Sequence, residues 1–279
     1  MKKISLMTAL CFAAIVMFSS CGNKVYKGFD KAENGVYYKV IEKGQGERKP
    51  QLGDYLFLVA SYTSNNDSIT AFAEREITDV MREHAFVGDL YDAYSLMCEG
   101  DHMQFAIKAD SFFLISIGFP AEELPKYITN EDVIYFDINL KKIKSLNDFQ
   151  VEEEQTINAY IQENNITIEP TNEGLYFISE QEGSGELATE GKIVSVHYTG
   201  KFLDGTIFDS SVERGEPMKF TLGQDPLIPG FTQAVQMMNK GAKATIIIPS
   251  NLGYGQSNPN LPIPPFTPLL FELEIIDIQ

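Results

Sequence analysis

The chain has 279 residues, long enough for two domains rather than one. Its 39 acidic residues outnumber 22 basic ones, and the formal charge of −17 repels phosphate backbones and excludes a nucleic-acid-binding reading. The histidines (His84, His102, His197) are scattered without metal-ligand spacing, and there is neither a phosphate-binding glycine loop nor a Gly-x-Ser-x-Gly turn.

Lys2 and Lys3 precede an apolar run from Ile4 to Phe18, followed by Ser19-Ser20-Cys21-Gly22. A basic start and an apolar segment too short for a comfortable membrane span predict an export signal over residues 1–20. The small residues before Cys21 resemble the lipobox of bacterial lipoproteins, which implies a lipid anchor on Cys21 and a membrane-anchored place in the cell envelope, facing the periplasm or the cell surface. Phe18 departs from the aliphatic residue usual at its position, and an ordinary secretory signal with an incidental Cys21 is the alternative. Loss of Lys2 and Lys3 would leave 20 basic against 39 acidic residues. Cys11 would leave with the signal, so Cys98 has no disulfide partner and is expected to pack beside Tyr94.

Residues 21–33 are polar and predict a tether. Gly35 to Ile41 reads as a strand closed by Gly44-Gln45-Gly46. The pattern returns at Gly174 to Ile178, closed by Gly183-Ser184-Gly185, each glycine 139 residues on. That is an internal repeat. Along it Tyr62-Thr63 falls against Tyr198-Thr199, Phe72 against Phe208, and Phe86-Val87-Gly88 against Phe220 to Gly223. Ala93 to Cys98 falls against the helix around Ala234, Phe105 against Ile246, and Phe136 against Phe271. Residues 34–146 are therefore expected to form a diverged copy of residues 171–279. Ala73 stands in it where Asp209 stands in the second copy, and Phe113 where Tyr254 stands.

Residues 147–170 are acidic and polar, with Ile157, Tyr160 and Ile161 along one edge. Glu152 to Glu154 suit a helix start and Pro170 a stop, which predicts a linker helix of about three turns. Its narrow apolar edge is expected to rest on either domain or on another copy of the chain, with its own domain favoured.

In the second domain, Val194, Val196 and Tyr198 alternate with polar neighbours, as does the stretch from Met218 to Leu222, and both read as half-buried strands. Phe231, Ala234, Val235 and Met238 lie on one face of a short helix ended by Gly241. Ala244–Ile248 and Leu269–Ile278 supply central strands. The fold class is α+β: two domains, each a curled antiparallel sheet over a short helix, joined by a linker helix.

The motifs of this half occur in a fixed order: His197-Tyr198-Thr199-Gly200, Phe208-Asp209-Ser210-Ser211, Phe220-Thr221-Leu222-Gly223, Leu227-Ile228-Pro229-Gly230-Phe231, Gly253-Tyr254-Gly255 and Ile263-Pro264-Pro265. In order and spacing they resemble the FKBP-type peptidyl-prolyl cis/trans isomerases, the immunophilins bound by macrolides. The resemblance implies non-covalent rotation about X–Pro bonds of exported, proline-containing polypeptides, with no cofactor or metal. It implies aromatic walls and floor from Tyr198, Phe208, Phe231 and Phe271, with Leu227, Met218 and Phe220 beside them. The Ile228 N–H and Tyr254 hydroxyl would hold substrate carbonyls, and Asp209 would face the reacting amide. Arg214 would brace Asp209 and a tyrosine, and Ile263 would close a flap.

Phe231 replaces the family's usual floor tryptophan, Met218 an aromatic edge, and Pro259 and Pro262 flap positions often held by His and Ile. The first copy keeps apolar shape and lacks these polar groups, so it is expected to be packed and non-catalytic. The alternative function is a catalytically weak chaperone or peptide-binding module of the envelope.

Overall fold

Leu56, Leu58 and Ala60 are buried and their neighbours are not, so one face of the strand Tyr55–Ser64 builds the first core. In a computed structural model of the protein, residues 24–256 and 263–279 are described; the expected signal, Cys21, Pro259 and Pro262 lie outside them. The chain divides into two units, Met1–Leu146 and Asn147–Gln279.

The first unit is a six-stranded antiparallel sheet. Its strands are β1 (Asp30–Lys31), β2 (Tyr37–Glu42), β3 (Tyr55–Ser64), β4 (Phe72–Val80), β5 (His102–Lys108) and β6 (Val133–Lys144), in the order β1-β2-β5-β6-β3-β4. Helix α1 (Leu90–Tyr94) lays Ala93 and Tyr94 on its core. Asp89 caps α1, accepting from the N–H groups of Tyr91 and Asp92, in place of the longer turn before the second unit's helix. After β5 come the short turn α2 (Ala109–Ser111) and a π-helical turn, Phe112–Ser116. The expected tether is partly domain: β1 pairs with β2, Tyr26 stacks on Tyr37 at 3.8 Å, and the Tyr135 hydroxyl donates to the Val25 carbonyl at 2.8 Å.

Helix α3 (Leu146–Glu163) opens the second unit and is longer than three turns. It ends well before Pro170. Asn165, at φ 54°, takes the left-handed position, and the N–H groups of Asn165 and Ile166 donate back to the carbonyls of Gln162 and Ile161. Length is maintained by packing: Ile157 is buried against Ile247 and Leu270 of the same unit, with Tyr160, Ile161 and Ile166 alongside.

The second unit continues with β7 (Tyr176–Gln181), β8 (Ser184–Leu187), β9 (Ile193–Phe202), β10 (Ile207–Ser210), the turn α4 (Ser211–Arg214), β11 (Met218–Thr221), helix α5 (Pro229–Gln236), β12 (Asn239–Lys240), β13 (Lys243–Ile248) and β14 (Leu269–Ile278). Its main sheet has the order β7-β13-β14-β9-β10, with β11 also on β9, and β8 and β12 form a separate two-stranded sheet. Strand for strand this repeats β2-β5-β6-β3-β4. Even the irregularities recur: the register slips between Val40 and Glu42 and again between Lys243 and Ala244 on the matching edge, and β6 and β14 each carry one extra residue opposite β3 and β9.

Those shared slips fix the correspondence and correct three expectations. Phe136 stands opposite Tyr62 as Phe271 stands opposite Gly200, so Tyr62 matches Gly200 and not Tyr198. Phe72, not Ala73, pairs with Tyr62 as Asp209 pairs with Gly200. Asp79 opposite Leu56 takes the place of Phe220 opposite Val194, while Phe86 to Gly88 lie outside any strand. The cause is α4: β4 runs unbroken where the second unit interrupts its edge to insert that turn.

Candidate active site

Ser210 caps α4 by accepting from the Glu213 N–H, and Gly215, at φ 75°, ends it. Ser211 is fully buried; its hydroxyl accepts from the Tyr198 N–H at 2.8 Å and donates to the Tyr198 carbonyl at 3.2 Å. His197, on β9 itself, meets the same hydroxyl at 3.1 Å. Pinned at one end by Ser211, the turn swings Arg214 back over β9.

There Arg214 donates to Asp209 and, at 2.9 Å, to the Tyr198 hydroxyl, and Tyr198 donates to the second oxygen of Asp209. Both carboxylate oxygens are engaged. Burial pushes the Asp209 carboxyl up, but the hydrogen bonds from Tyr198 and Arg214 and the charge of the latter outweigh it and hold it below the usual range. Burial and the hydrogen bond to Asp209 push the Tyr198 phenol up; Tyr254 is pushed up by burial and then by the nearby charge of Asp209.

Below this polar group lies a nest of rings. Phe231 meets Tyr198, Phe271 and Phe220 edge-on at 5.9, 5.6 and 6.2 Å, and Phe208 meets Phe271 edge-on at 5.7 Å. Phe220, Phe231 and Phe271 are buried in the core, Phe208 partly so. Met218, Leu227, Ile228 and Tyr254 are half-buried against the same cluster, and Ile263 is buried within it at 6% exposure. Pro229 begins α5 with Ile228 as its cap residue, and among the described residues no group accepts from the Ile228 N–H. Among the described residues no cluster of His, Cys, Asp or Glu has metal-binding geometry.

Sequence reasoning missed four residues that shape this site. A Cβ on Gly200 would lie 2.7 Å from Phe208 Cζ and 2.9 Å from Phe271 Cε1, and one on Gly230 would lie 2.6 Å from Ile248 Cγ2. Bare backbone at these points lets the rings and α5 close up. The others are Ser211 and, on α3, Glu153, which binds the Ser250 turn leading to Tyr254. Gly200, Gly230 and Ser211 were visible inside the quoted motifs, though with no role given to them, whereas Glu153 was read only as part of an acidic helix start.

The sequence profile described as FKBP-type peptidyl-prolyl cis-trans isomerase matches residues 184–276. An FK506-binding protein of Neisseria meningitidis serogroup B is 41% identical over 105 residues, covering 38% of this chain and 96% of that protein. The chain belongs to the FKBP-type peptidyl-prolyl cis-trans isomerase family. Within the FKBP family it is also 42% identical over 111 residues to the FKBP-type 22 kDa peptidyl-prolyl cis-trans isomerase of Escherichia coli K12, covering 40% of this chain and 53% of that one. The crystal structure of FkpA from Escherichia coli matches with a TM-score of 0.42 and 32% identity, covering 48% of this chain and 60% of that one. The chain spans about half the length of the first curated FKBP relatives it matches.

Proposed function

We propose that the second domain catalyses cis/trans isomerisation of X–Pro bonds in proline-containing polypeptides. The observation that carries this is the joining of a locked Tyr198–Asp209–Arg214 group to the ring nest of Phe208, Phe231 and Phe271. Rotation about the amide faces a barrier of ~18–20 kcal/mol because conjugation is lost at the twisted transition state. The planar amide has the larger charge separation, so an apolar, water-poor hollow penalises it relative to the twisted form.

Both oxygens of Asp209 accept hydrogen bonds, and these with the Arg214 charge hold its carboxyl below the usual range. It therefore acts as a fixed charge beside the amide rather than as a base. The Ile228 N–H and the Tyr254 hydroxyl are assigned to the flanking carbonyls, and Ile263 to closure over the prolyl ring. The whole chain should accelerate exchange of a Leu-Pro peptide measured by exchange NMR; no acceleration at protein concentrations near that of the peptide would sink the reading.

Cys21 is assigned as a lipidated N-terminus, which places both domains in the cell envelope, where exported chains fold. Its support is the sequence Ser19-Ser20-Cys21 after a short apolar run.

A further inference from the structure

The first domain has lost the polar groups of the second, yet its cleft is open. Between β3, β4, β6, α1 and the π-helical turn lies a hollow of about 500 Å³. Its walls are largely aromatic: Tyr62, Phe72, Tyr94, Phe112, Phe113 and Phe136. A smaller hollow of about 220 Å³ opens beside it and shares Tyr62, Phe113 and Phe119. At the rim, Ile117 and Phe119 are 55% and 40% exposed, and on the segments flanking them Ile115 and Tyr127 are exposed as well. Large apolar side chains grouped in this way mark a contact surface.

One carboxylate lines the larger hollow. Asp79 accepts from the N–H of the next residue, Val80, at 2.8 Å. Among the described residues no cation stands within ion-pair distance of it. Exposed Arg82 bears on it from farther away, and Arg75 lies instead on the Phe72 ring, 3.8 Å from its centroid. Burial pushes the Asp79 carboxyl up against the lowering effect of the Val80 N–H and Arg82, and its charge helps push up the Tyr91 and Tyr94 phenols.

A half-buried carboxylate among rings is a costly group awaiting a cation. A guanidinium suits it best, because the flat ion pairs with the carboxylate and lies on aromatic faces, as Arg75 already does on Phe72. At −17, the chain repels a second copy of itself. We propose that this cleft binds extended segments of other polypeptides that present a large apolar side chain beside an arginine or lysine. The apolar side chain enters the hollow and the cation meets Asp79. With Phe113 in place of a hydroxyl-bearing tyrosine, the cleft holds such segments without acting on them. This is independent of the catalysis proposed for the second domain.

The test is fluorescence anisotropy with the whole chain and three proline-free, fluorescein-labelled octapeptides. Each has a Gly-Ser frame, carrying Phe-Leu-Arg, Phe-Leu-Glu or Ser-Ser-Arg. The first should bind about tenfold tighter than either of the others. Asp79→Asn should erase the preference for arginine over glutamate while leaving X–Pro isomerisation unchanged. Ile117→Ser with Phe119→Ser, at exposed positions on the rim and with the fold confirmed by circular dichroism, should weaken both phenylalanine peptides. An arginine preference that survives Asp79→Asn would assign it to the overall charge and overturn the proposal. So would binding indifferent to the rim substitutions, or no binding of any peptide.

Discussion

Glu153 on α3 accepts two hydrogen bonds from Ser250, one from its N–H and one, at 2.7 Å, from its hydroxyl. Ser250 begins the turn that delivers Tyr254 four residues later. Nearby on the same helix, Phe149 stacks on Phe266 at 4.5 Å, just beyond the Ile263-Pro264-Pro265 segment. Helix α3 therefore braces, within the second unit, both segments of chain that complete the candidate site. Glu153→Ala should cost about 1–2 kcal/mol of stability. It should also lower kcat/KM by about tenfold through displacement of Tyr254. Glu153→Gln, which keeps an acceptor for the N–H, should recover much of both. Denaturation midpoints and exchange NMR on the same samples check the pair of effects; an unchanged kcat/KM in Glu153→Ala would show that Tyr254 needs no such brace.

Gly200→Ala should destabilise the second domain by about 1–3 kcal/mol, because the new methyl has no space between Phe208 and Phe271. Activity should fall with it as the rings part. Urea denaturation of the whole chain is the measurement. A variant as stable as the parent would mean that the ring nest yields easily.

Activity should be flat from about pH 5 to about pH 9. The Asp209 carboxyl lies below its ordinary value of ~3.9, and the Tyr198 and Tyr254 phenols lie above theirs of ~10. A depressed carboxyl stabilises the fold above its unfolded pKa, and that contribution is lost as pH falls through the folded value, so acid should weaken the site only below about pH 4. A titration limb centred between pH 5 and 8 would point to a different essential group.

Cys21→Ser should move the protein from the detergent phase to the aqueous phase in detergent partitioning, as expected if one acylated cysteine is its anchor. A substituted chain that stays with the detergent would remove the lipid assignment.

The tandem sheets, the short helices and the aromatic cluster were legible in the sequence because alternation and glycine turns report local geometry. The match of Tyr62 to Tyr198 failed for a physical reason. A shift of two residues returns every side chain of a strand to the same face, so the pattern of buried positions cannot reveal it. Only the pairing of Tyr62 with Phe136 and of Gly200 with Phe271 exposes the slip. Helix α3 was read short because its own sequence is polar; its length depends on Ile247 and Leu270, whose side chains face away from the main core and were counted simply as strand. The polar group was half legible. Asp209 and Ser211 stood in a family motif and Arg214 was implied by the resemblance, but nothing local showed that buried Ser211 pins the turn that joins Asp209 to Arg214.

The most direct measurement is proline exchange in a Leu-Pro peptide with the whole chain carrying Asp209→Ala and Tyr254→Phe, its fold confirmed by circular dichroism. These changes remove the fixed charge and the assigned carbonyl donor while leaving the ring nest in place. Donors and charges in such sites are commonly worth ~2.7–4 kcal/mol. The apolar hollow also contributes here, so the expected loss is on the order of tenfold to a hundredfold in kcat/KM, against unchanged exchange for Asp79→Asn in the first domain. A folded double variant with full activity would contradict the account.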